Sequence, residues 1–78
     1  MAPTHIRADG SQEWRVNGDL HRLDGPARIY ADGTQEWWVE NHHISPEVKE
    51  WMIRMEIPPF AEWTDMEFML FRVIATSF

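Results

Sequence analysis

Hydrophobic and polar positions follow different periods in the two halves of the chain. In the first half, short β-rich runs stand on either side of Ala-Asp-Gly, at residues 8–10 and again at residues 31–33, and this arrangement predicts two β-hairpins. In the second half, four apolar side chains recur at the spacing of one helix face: Val48, Trp51, Met52 and Met55. The pattern predicts an α+β fold, in which two consecutive hairpins form a small antiparallel sheet and two α-helices follow.

The β-rich half is a repeat. When the chain is shifted by 23 residues, Pro3–Val16 overlays Pro26–Val39 with nine of fourteen residues identical. Agreement of this kind indicates a duplicated supersecondary unit. We therefore expect a single domain over residues 1–78, with two hairpin repeats in residues 3–44 and a helical part in residues 45–78.

Side-chain pairing predicts the length of the hairpin loops. A two-residue Asp-Gly loop would set Ile29 and Trp37 on opposite faces of the second hairpin. A three-residue Ala-Asp-Gly loop instead pairs Ile29 with Gln35 and Arg28 with Glu36, so that opposite charges face each other. With this longer loop, the inner face of the sheet is expected to hold Ile6, Trp14, Val16, Ile29, Trp37 and Val39.

The polar segment HRLDGPA, at residues 21–27, joins the two hairpins. Asn17-Gly18 is a strong turn signal before this segment. Within it, Asp24-Gly25 predicts a second turn, and the proline opens the next strand at a position that needs no N–H donor. Its His-Arg pair has no nucleophile or orienting group fixed nearby, so we expect a structural joint rather than a catalytic pair.

These residues also carry a family resemblance. Residues 14–27 resemble the repeat W-x-x-x-G-x-x-H-R-x-D-G-P-A, which is found in small and multi-repeat proteins of tailed bacteriophages and is similar to MORN-type β-hairpin repeats. The resemblance covers roughly residues 3–44. The second copy departs from it, since Asn41 replaces the glycine and residues 42–45 replace the His-Arg block. The resemblance implies a phage origin and a hairpin architecture, and the family has no common activity.

Two helices are predicted in the second half. Ser45 as the N-cap, Pro46 at the first helical position and Glu47 in the first turn predict the start of the first helix. Ile57-Pro58-Pro59 predicts its end. Thr64-Asp65-Met66-Glu67 has the form of a capping box that opens a second helix of about ten residues.

Residues 66–76 are apolar almost all round. Alternation also permits a strand here, but the capping box favours a helix. A helix would carry two apolar stripes, one with Met66, Met69, Leu70 and Val73 and the other with Phe68, Phe71 and Ala75. We expect the segment to be buried between the sheet and the first helix; the alternative is a surface for a homodimer through this C-terminal helix.

Composition and charge narrow the function classes. The chain has no cysteine, so its five Trp, four Phe and five Met must supply the core. A formal net charge of -6 argues against nucleic acid as a direct ligand, because phosphate binding needs basic clusters. No apolar run approaches the roughly 18 residues that span a bilayer. We expect no membrane association and a location in the cytoplasm.

Candidate chemistry is sparse. His5, His21, His42 and His43 invite a metal site, but adjacent histidines point apart and the usual short ligand spacing is missing. There is no phosphate-binding glycine loop and no nucleophile motif. We therefore expect no enzymatic activity, no metal and no cofactor.

One difference between the copies suggests a binding surface. Arg7 and Arg15 of the first copy are replaced by Tyr30 and Trp38, both on the outer face of the second hairpin. If exposed, this pair beside acidic residues has the composition of a binding hot spot; the alternative is that a helix covers it. Together with the carboxylates of the helical half, the partner-binding candidates are Tyr30, Trp38, Glu36, Glu40, Glu47, Glu50, Glu56, Glu62, Asp65 and Glu67.

Size, acidity and the phage resemblance together predict a function. We expect a phage-encoded protein that binds and inhibits a bacterial defence or nucleic-acid-handling complex of the host, in the manner of anti-CRISPR proteins. Its partner would be a host protein or ribonucleoprotein effector with a basic surface, met in the bacterial cytoplasm. The alternative is a structural or accessory phage protein that mediates assembly.

Overall fold

Each copy of the repeat folds into two consecutive hairpins, and each hairpin is built from strands of two residues. The computed structural model describes residues 2–77. The first copy contains β1 (His5–Ile6), β2 (Gln12–Glu13), β3 (Arg15–Val16) and β4 (Asp19–Leu20), and the second contains β5 (Arg28–Ile29), β6 (Gln35–Glu36), β7 (Trp38–Val39) and β8 (His42–His43). Every strand of the second copy lies 23 residues after its counterpart in the first. The fold is α+β, as the sequence predicts.

The first hairpin of each copy joins a common antiparallel sheet in the order β1-β2-β5-β6, whereas β3-β4 and β7-β8 are separate pairs. The sequence did not predict these two extra hairpins, although Asn17-Gly18 was recognised as a turn. Asn17 and Gly18 have φ values of 52° and 86°, and Glu40 and Asn41 take φ values of 49° and 66° at the same place in the second copy. Two-residue strands are too short to show alternation.

The three-residue loop is confirmed. Ile29 lies opposite Gln35 and Arg28 lies opposite Glu36, and the first copy repeats this register. At the loop end, the N–H of Tyr30 donates to the carbonyl of Thr34 at 2.8 Å. Side-chain pairing therefore identified the loop correctly.

Backbone hydrogen bonds repeat at the same interval. The N–H of His21 donates to the carbonyl of Trp14 at 3.0 Å, and the N–H of Ile44 donates to the carbonyl of Trp37 at 2.8 Å. The N–H of Trp14 binds the carbonyl of Ala27 in the next copy at 2.8 Å. The N–H of Trp37 instead binds the hydroxyl of Ser45 at 2.9 Å. The Ser45 side chain therefore takes the place of the backbone carbonyl that a third copy of the repeat would supply, and the repeat ends there.

The predicted inner face is correct for the second copy and wrong for two residues of the first. Trp14, Trp37 and Val39 are buried, and Ile29 is half-buried. Ile6 and Val16, however, are 69% and 52% exposed, whereas Val39, the counterpart of Val16, is 8% exposed. The reason is that the helices pack over Trp37 and Val39 of the second copy and leave the β1 end of the first copy uncovered.

The first helix, α1 (Ser45–Arg54), has Pro46 in its first turn, but Ser45 does not cap it. The N-cap residue is Ile44, and the Ser45 hydroxyl is engaged by Trp37. The helix ends before the predicted proline stop, because Glu56 takes a φ of 53°. The N–H of Ile57 then donates to the carbonyl of Met52 at 2.8 Å, which closes a Schellman-type end.

The second helix, α2 (Asp65–Ala75), follows a short 3₁₀ turn at Phe60–Glu62. The predicted capping box is present: the carboxylate of Glu67 accepts hydrogen bonds from the backbone N–H of Thr64 at 2.6 Å and from its hydroxyl at 2.7 Å. The strand interpretation of this segment is therefore wrong. The capping box thus predicted the helix correctly, whereas hydrophobic periodicity also permitted a strand.

The core is an aromatic cluster in which the helices cover the second copy. Trp37 stacks on Trp63 with ring centroids 5.3 Å apart, and Phe71 meets Trp37 edge-on at 4.9 Å. Such pairs add specific ring contacts to the burial of large apolar surfaces. The buried members of the cluster are Trp37, Val39, Ile44, Val48, Trp63, Phe71 and Ala75.

Only one apolar stripe of α2 enters this core. Phe71 and Ala75 are buried and Phe68 is half-buried, whereas Met66, Met69 and Val73 are exposed and Leu70 is at the margin. The expectation of a segment buried between sheet and helix is thus right for one face and wrong for the other. The exposed stripe is open apolar surface.

Candidate functional site

The first copy contains a buried carboxylate held by three arginines. Glu13 has a side chain only 3% exposed, and its two oxygens accept from Arg15 Nε at 2.9 Å, Arg7 Nε at 3.0 Å and Arg28 Nε at 3.0 Å. Since Arg28 belongs to the second copy, the cluster also ties the two copies together. This buried network was not predicted, because alternation placed Glu13 on the polar face of its strand.

The environment of Glu13 strongly favours its charged form. Burial alone would raise the pKa of this carboxyl, but hydrogen bonds from Arg15 and Arg7 outweigh it. The charge of Arg15 and a hydrogen bond from Arg28 add to this effect. Together they lower the pKa of Glu13 from 4.5 to about 2. The cluster is a structural ion network in which both carboxylate oxygens of Glu13 accept from guanidinium groups.

The second copy repeats this cluster with neutral donors. Tyr30 donates through its hydroxyl to Glu36 Oε2 at 3.1 Å, and Trp38 donates through Nε1 to Glu36 Oε1 at 3.1 Å. Arg28 adds a contact to Glu36 at 3.3 Å. The ring of Trp38 also stacks on His43 at a centroid distance of 4.6 Å. Tyr30 and Trp38 are half-buried and take the places that Arg7 and Arg15 hold around Glu13.

This arrangement changes the interpretation of the aromatic pair. Three predicted site residues, Tyr30, Trp38 and Glu36, do come together, but their polar atoms bind one another. Glu40 lies in the neighbouring turn, where its backbone N–H donates to Nδ1 of His21 at 2.9 Å. The pair therefore has a structural role that explains why these two residue types replace arginines.

The joint HRLDGPA is a packing element. The guanidinium of Arg22 lies over the ring of Trp14 at 3.9 Å from the centroid, while its Nε binds Asp24 at 2.7 Å and its Nη1 binds the carbonyl of Pro26 at 3.0 Å. A Cβ on Gly25 would lie 2.7 Å from Phe60 and 2.8 Å from the guanidinium carbon of Arg22. The glycine is required because side chains close in on both sides.

The acidic candidates of the helical half are dispersed over its surface. Glu50 pairs with Arg54 one turn later on α1, and Glu67 belongs to the capping box. Within residues 2–77, the others form no ion pair; these are Glu47, Glu56, Glu62 and Asp65, all exposed. The structure thus leaves four carboxylates of this half available to a partner.

An apolar groove runs between the two helices. Its volume is about 520 Å³, and its apolar floor is lined by Trp51, Met55, Leu70, Val73 and Ile74. The other lining residues are Glu47, Glu50 and Arg54 of α1. The sequence showed the two stripes of α2 but could not tell which one faces outward, because both are apolar. The sequence analysis did not predict this groove.

No group of three His, Asp or Glu side chains within the described residues is placed to hold a metal ion. His21 binds the turn at Glu40, and Nε2 of His43 is hydrogen-bonded to Ser45 at 2.7 Å. In residues 2–77, neither helix is long and apolar enough to cross a membrane.

No protein-family model, curated protein or solved structure matches this chain.

Proposed function

We propose that this protein is a phage-encoded inhibitor, of the anti-CRISPR kind, that binds a basic surface of a bacterial defence or nucleic-acid-handling complex in the host cytoplasm. The supporting observation is the set of exposed carboxylates that no ion pair neutralises. The arginines of the repeat half are tied to carboxylates of the same half: Arg7, Arg15, Arg22 and Arg28. Within residues 2–77, the helical half presents four exposed acids without ion-pair partners, Glu47, Glu56, Glu62 and Asp65, against two exposed cations that are also unpaired, Lys49 and Arg72.

The mechanism is competition for a nucleic-acid channel. A channel that binds phosphates is lined by Lys and Arg, and exposed carboxylates can occupy the same positive potential. The exposed carboxylates make the contact, so binding of the nucleic acid itself is not required. Attraction of this type speeds association and is screened over about 8–10 Å at ordinary ionic strength. Phage origin rests on the resemblance of residues 14–27.

The test uses a purified RNA-guided effector complex and a labelled target DNA. We expect the protein to block DNA binding, and the concentration needed for half inhibition to rise as salt increases from about 0.05 M to about 0.5 M. Glu62→Lys or Glu47→Lys should weaken inhibition mainly through slower association. Asp19→Lys, an equal charge reversal at an exposed site of β4 in the repeat half, is the matched control.

Inhibition that is indifferent to salt and to Glu62→Lys would contradict the proposal. So would equal losses from Glu62→Lys and Asp19→Lys, because a general change of net charge would then explain both. Absence of inhibition across a panel of effector classes, with folding confirmed by far-UV circular dichroism, would remove this function altogether.

A structural or accessory role in phage assembly is the second candidate. The observation that favours it is the exposure of two apolar residues of the first copy, Ile6 on β1 and Val16 on β3, which a further repeat of another subunit could cover. Light scattering on the purified protein distinguishes the two roles. A monomer supports the inhibitor, and large homo-oligomers that Val16→Lys dissolves support assembly.

A further inference from the structure

We propose that the groove between α1 and α2 is a docking site for a basic amphipathic helix of the partner protein. The proposal rests on the proposed function, since it names the element of the partner that is recognised. Its basis is the juxtaposition of an open apolar floor, two helical walls and an acidic side chain on the rim.

The floor of the groove requires an apolar occupant. Within the lining, Val73 is 63% exposed and Met55 is 56% exposed, so apolar side chains of the groove face water. Met66 and Met69, also more than half exposed, continue the stripe of Leu70 and Val73 along α2 outside the lining. Methionine side chains adapt to different partner shapes, which suits a surface that binds a variable apolar face.

The walls favour a helical occupant over an extended one. Both walls are helices, whose backbone N–H and C=O groups are paired within the helix, so they offer no strand edge to an extended peptide. An extended segment laid in the groove would leave its own backbone groups unpaired against apolar side chains. A helix satisfies its backbone internally and can present anchors at the spacing of one face.

The charge of the rim favours a basic occupant. Arg54 is the only cation among the lining residues, and Glu50 neutralises it. Glu47, at the same rim, has no ion-pair partner within residues 2–77. Beyond the groove, three exposed acids, Glu56, Glu62 and Asp65, outnumber the two exposed cations of the helices that form no ion pair within the same residues, Lys49 and Arg72. A second copy of this chain, with its own net charge of -6, meets repulsion here, and anionic membranes do as well.

The test uses a fluorescent peptide of about 14 residues, four helical turns, made of Leu and Lys arranged so that the leucines form one helix face. The first control peptide has the same composition with Leu and Lys in strict alternation. The second is oligolysine of equal length. We expect the helical peptide to bind more tightly than either control, by about tenfold or more.

Two aspartate variants separate apolar docking from charge attraction. Val73→Asp places a carboxylate in the groove, and Ile53→Asp places one at an exposed site on α1, 79% exposed, outside the lining. Both add one negative charge, which by electrostatics alone would strengthen the binding of a cationic peptide. We expect Val73→Asp to weaken binding of the helical peptide about tenfold or more, and Ile53→Asp to leave it unchanged or slightly stronger.

The contrary outcomes are distinct. Equal binding by Val73→Asp, Ile53→Asp and the unchanged protein overturns the groove as the site. Equal affinity for the helical peptide and oligolysine also overturns it, while recognition of basic surfaces, and with it the proposed function, stands. If sedimentation shows a dimer that only Val73→Asp dissociates, the occupant is a second copy and the inference is wrong. If no cationic peptide binds, the inference and the acidic recognition both fail.

Discussion

Tyr30 donates a hydrogen bond to Glu36 at 3.1 Å, in the place where Arg7 binds Glu13 one repeat earlier. The two copies have therefore kept the acceptor and changed the donor. In the first copy the donors are charged and the carboxylate is buried. In the second, Tyr30 and Trp38 are neutral donors, Arg28 adds the one charged contact, and the side chain of Glu36 is 24% exposed.

This equivalence predicts that donors can be exchanged between the copies. The double variant Arg7→Tyr/Arg15→Trp should keep hydrogen bonds to Glu13 and lose about 1 kcal/mol or less of unfolding free energy. Arg7→Ala/Arg15→Ala removes the donors and should lose about 2–4 kcal/mol. Urea unfolding of both variants checks the difference. Equal losses would show that donor geometry plays no part.

Acid should destabilise the protein through Glu13. Because the pKa of this carboxyl falls from 4.5 to about 2 on folding, its contribution is complete above the ordinary value and is lost as the pH drops from about 4.5 to about 2. A depression of this size corresponds to about 3 kcal/mol at neutral pH. Urea midpoints measured across this range should fall steeply.

Glu13→Gln is the control for this pH dependence. The variant should be less stable at neutral pH by about 2–4 kcal/mol, since three guanidinium groups lose their counter-ion. Its stability should also vary less with pH below 4.5. Some slope remains, because hydrogen bonds from Ser11 and Thr34 lower the pKa values of Asp9 and Asp32. An unaltered slope in Glu13→Gln would contradict the assignment.

The two glycines Gly25 and Gly33 should respond differently to substitution. Gly33 has a φ of 92° with open space around it, so Gly33→Ala costs only backbone strain, about 1 kcal/mol. Gly25→Ala must also displace the ring of Phe60 or the guanidinium of Arg22, and should cost about 2–4 kcal/mol. Thermal unfolding gives the ranking, and a larger effect at Gly33 would show that the joint can relax.

The turn at Glu40 and Asn41 offers a stabilising change. Both residues have positive φ, and Asn-Gly is the preferred pair for such two-residue hairpin turns, as in residues 17–18 of the first copy. Glu40→Asn/Asn41→Gly should therefore raise stability by about 1 kcal/mol, equivalent to roughly 4–8 °C in melting temperature for a domain of this size. No rise would mean that Glu40 makes a compensating contact.

Features fixed by local chemistry could be predicted from the sequence. The loop at residues 31–33 followed from which side chains must face each other, and α2 followed from the Thr64–Glu67 capping box. The α+β class followed from the change of hydrophobic period. In each case the deciding information lies within a few residues, so no knowledge of distant packing was needed.

Features decided by distant packing could not be predicted. Val16 and Val39 occupy the same place in the repeat, yet only Val39 is covered, because the helices pack over one copy. Ser45 has the sequence of an N-cap but serves the backbone of Trp37. The outward face of α2 depends on which of two apolar stripes meets the aromatic cluster, and the groove exists only because of that choice.

The hydroxyl of Ser45 accepts from the N–H of Trp37 at the place where a further copy would supply a backbone carbonyl, so the number of repeats before it could vary. The residues before it follow a repeat of 23 residues, and those after it form a terminal cap that packs on the second copy through the aromatic cluster and on the joint through Phe60 and Leu23. Further 23-residue repeats could therefore be inserted before the cap, while β1 and the helical cap keep their present residues. In a chain lengthened in this way, the number of repeats would set the distance between β1 and the groove between the helices.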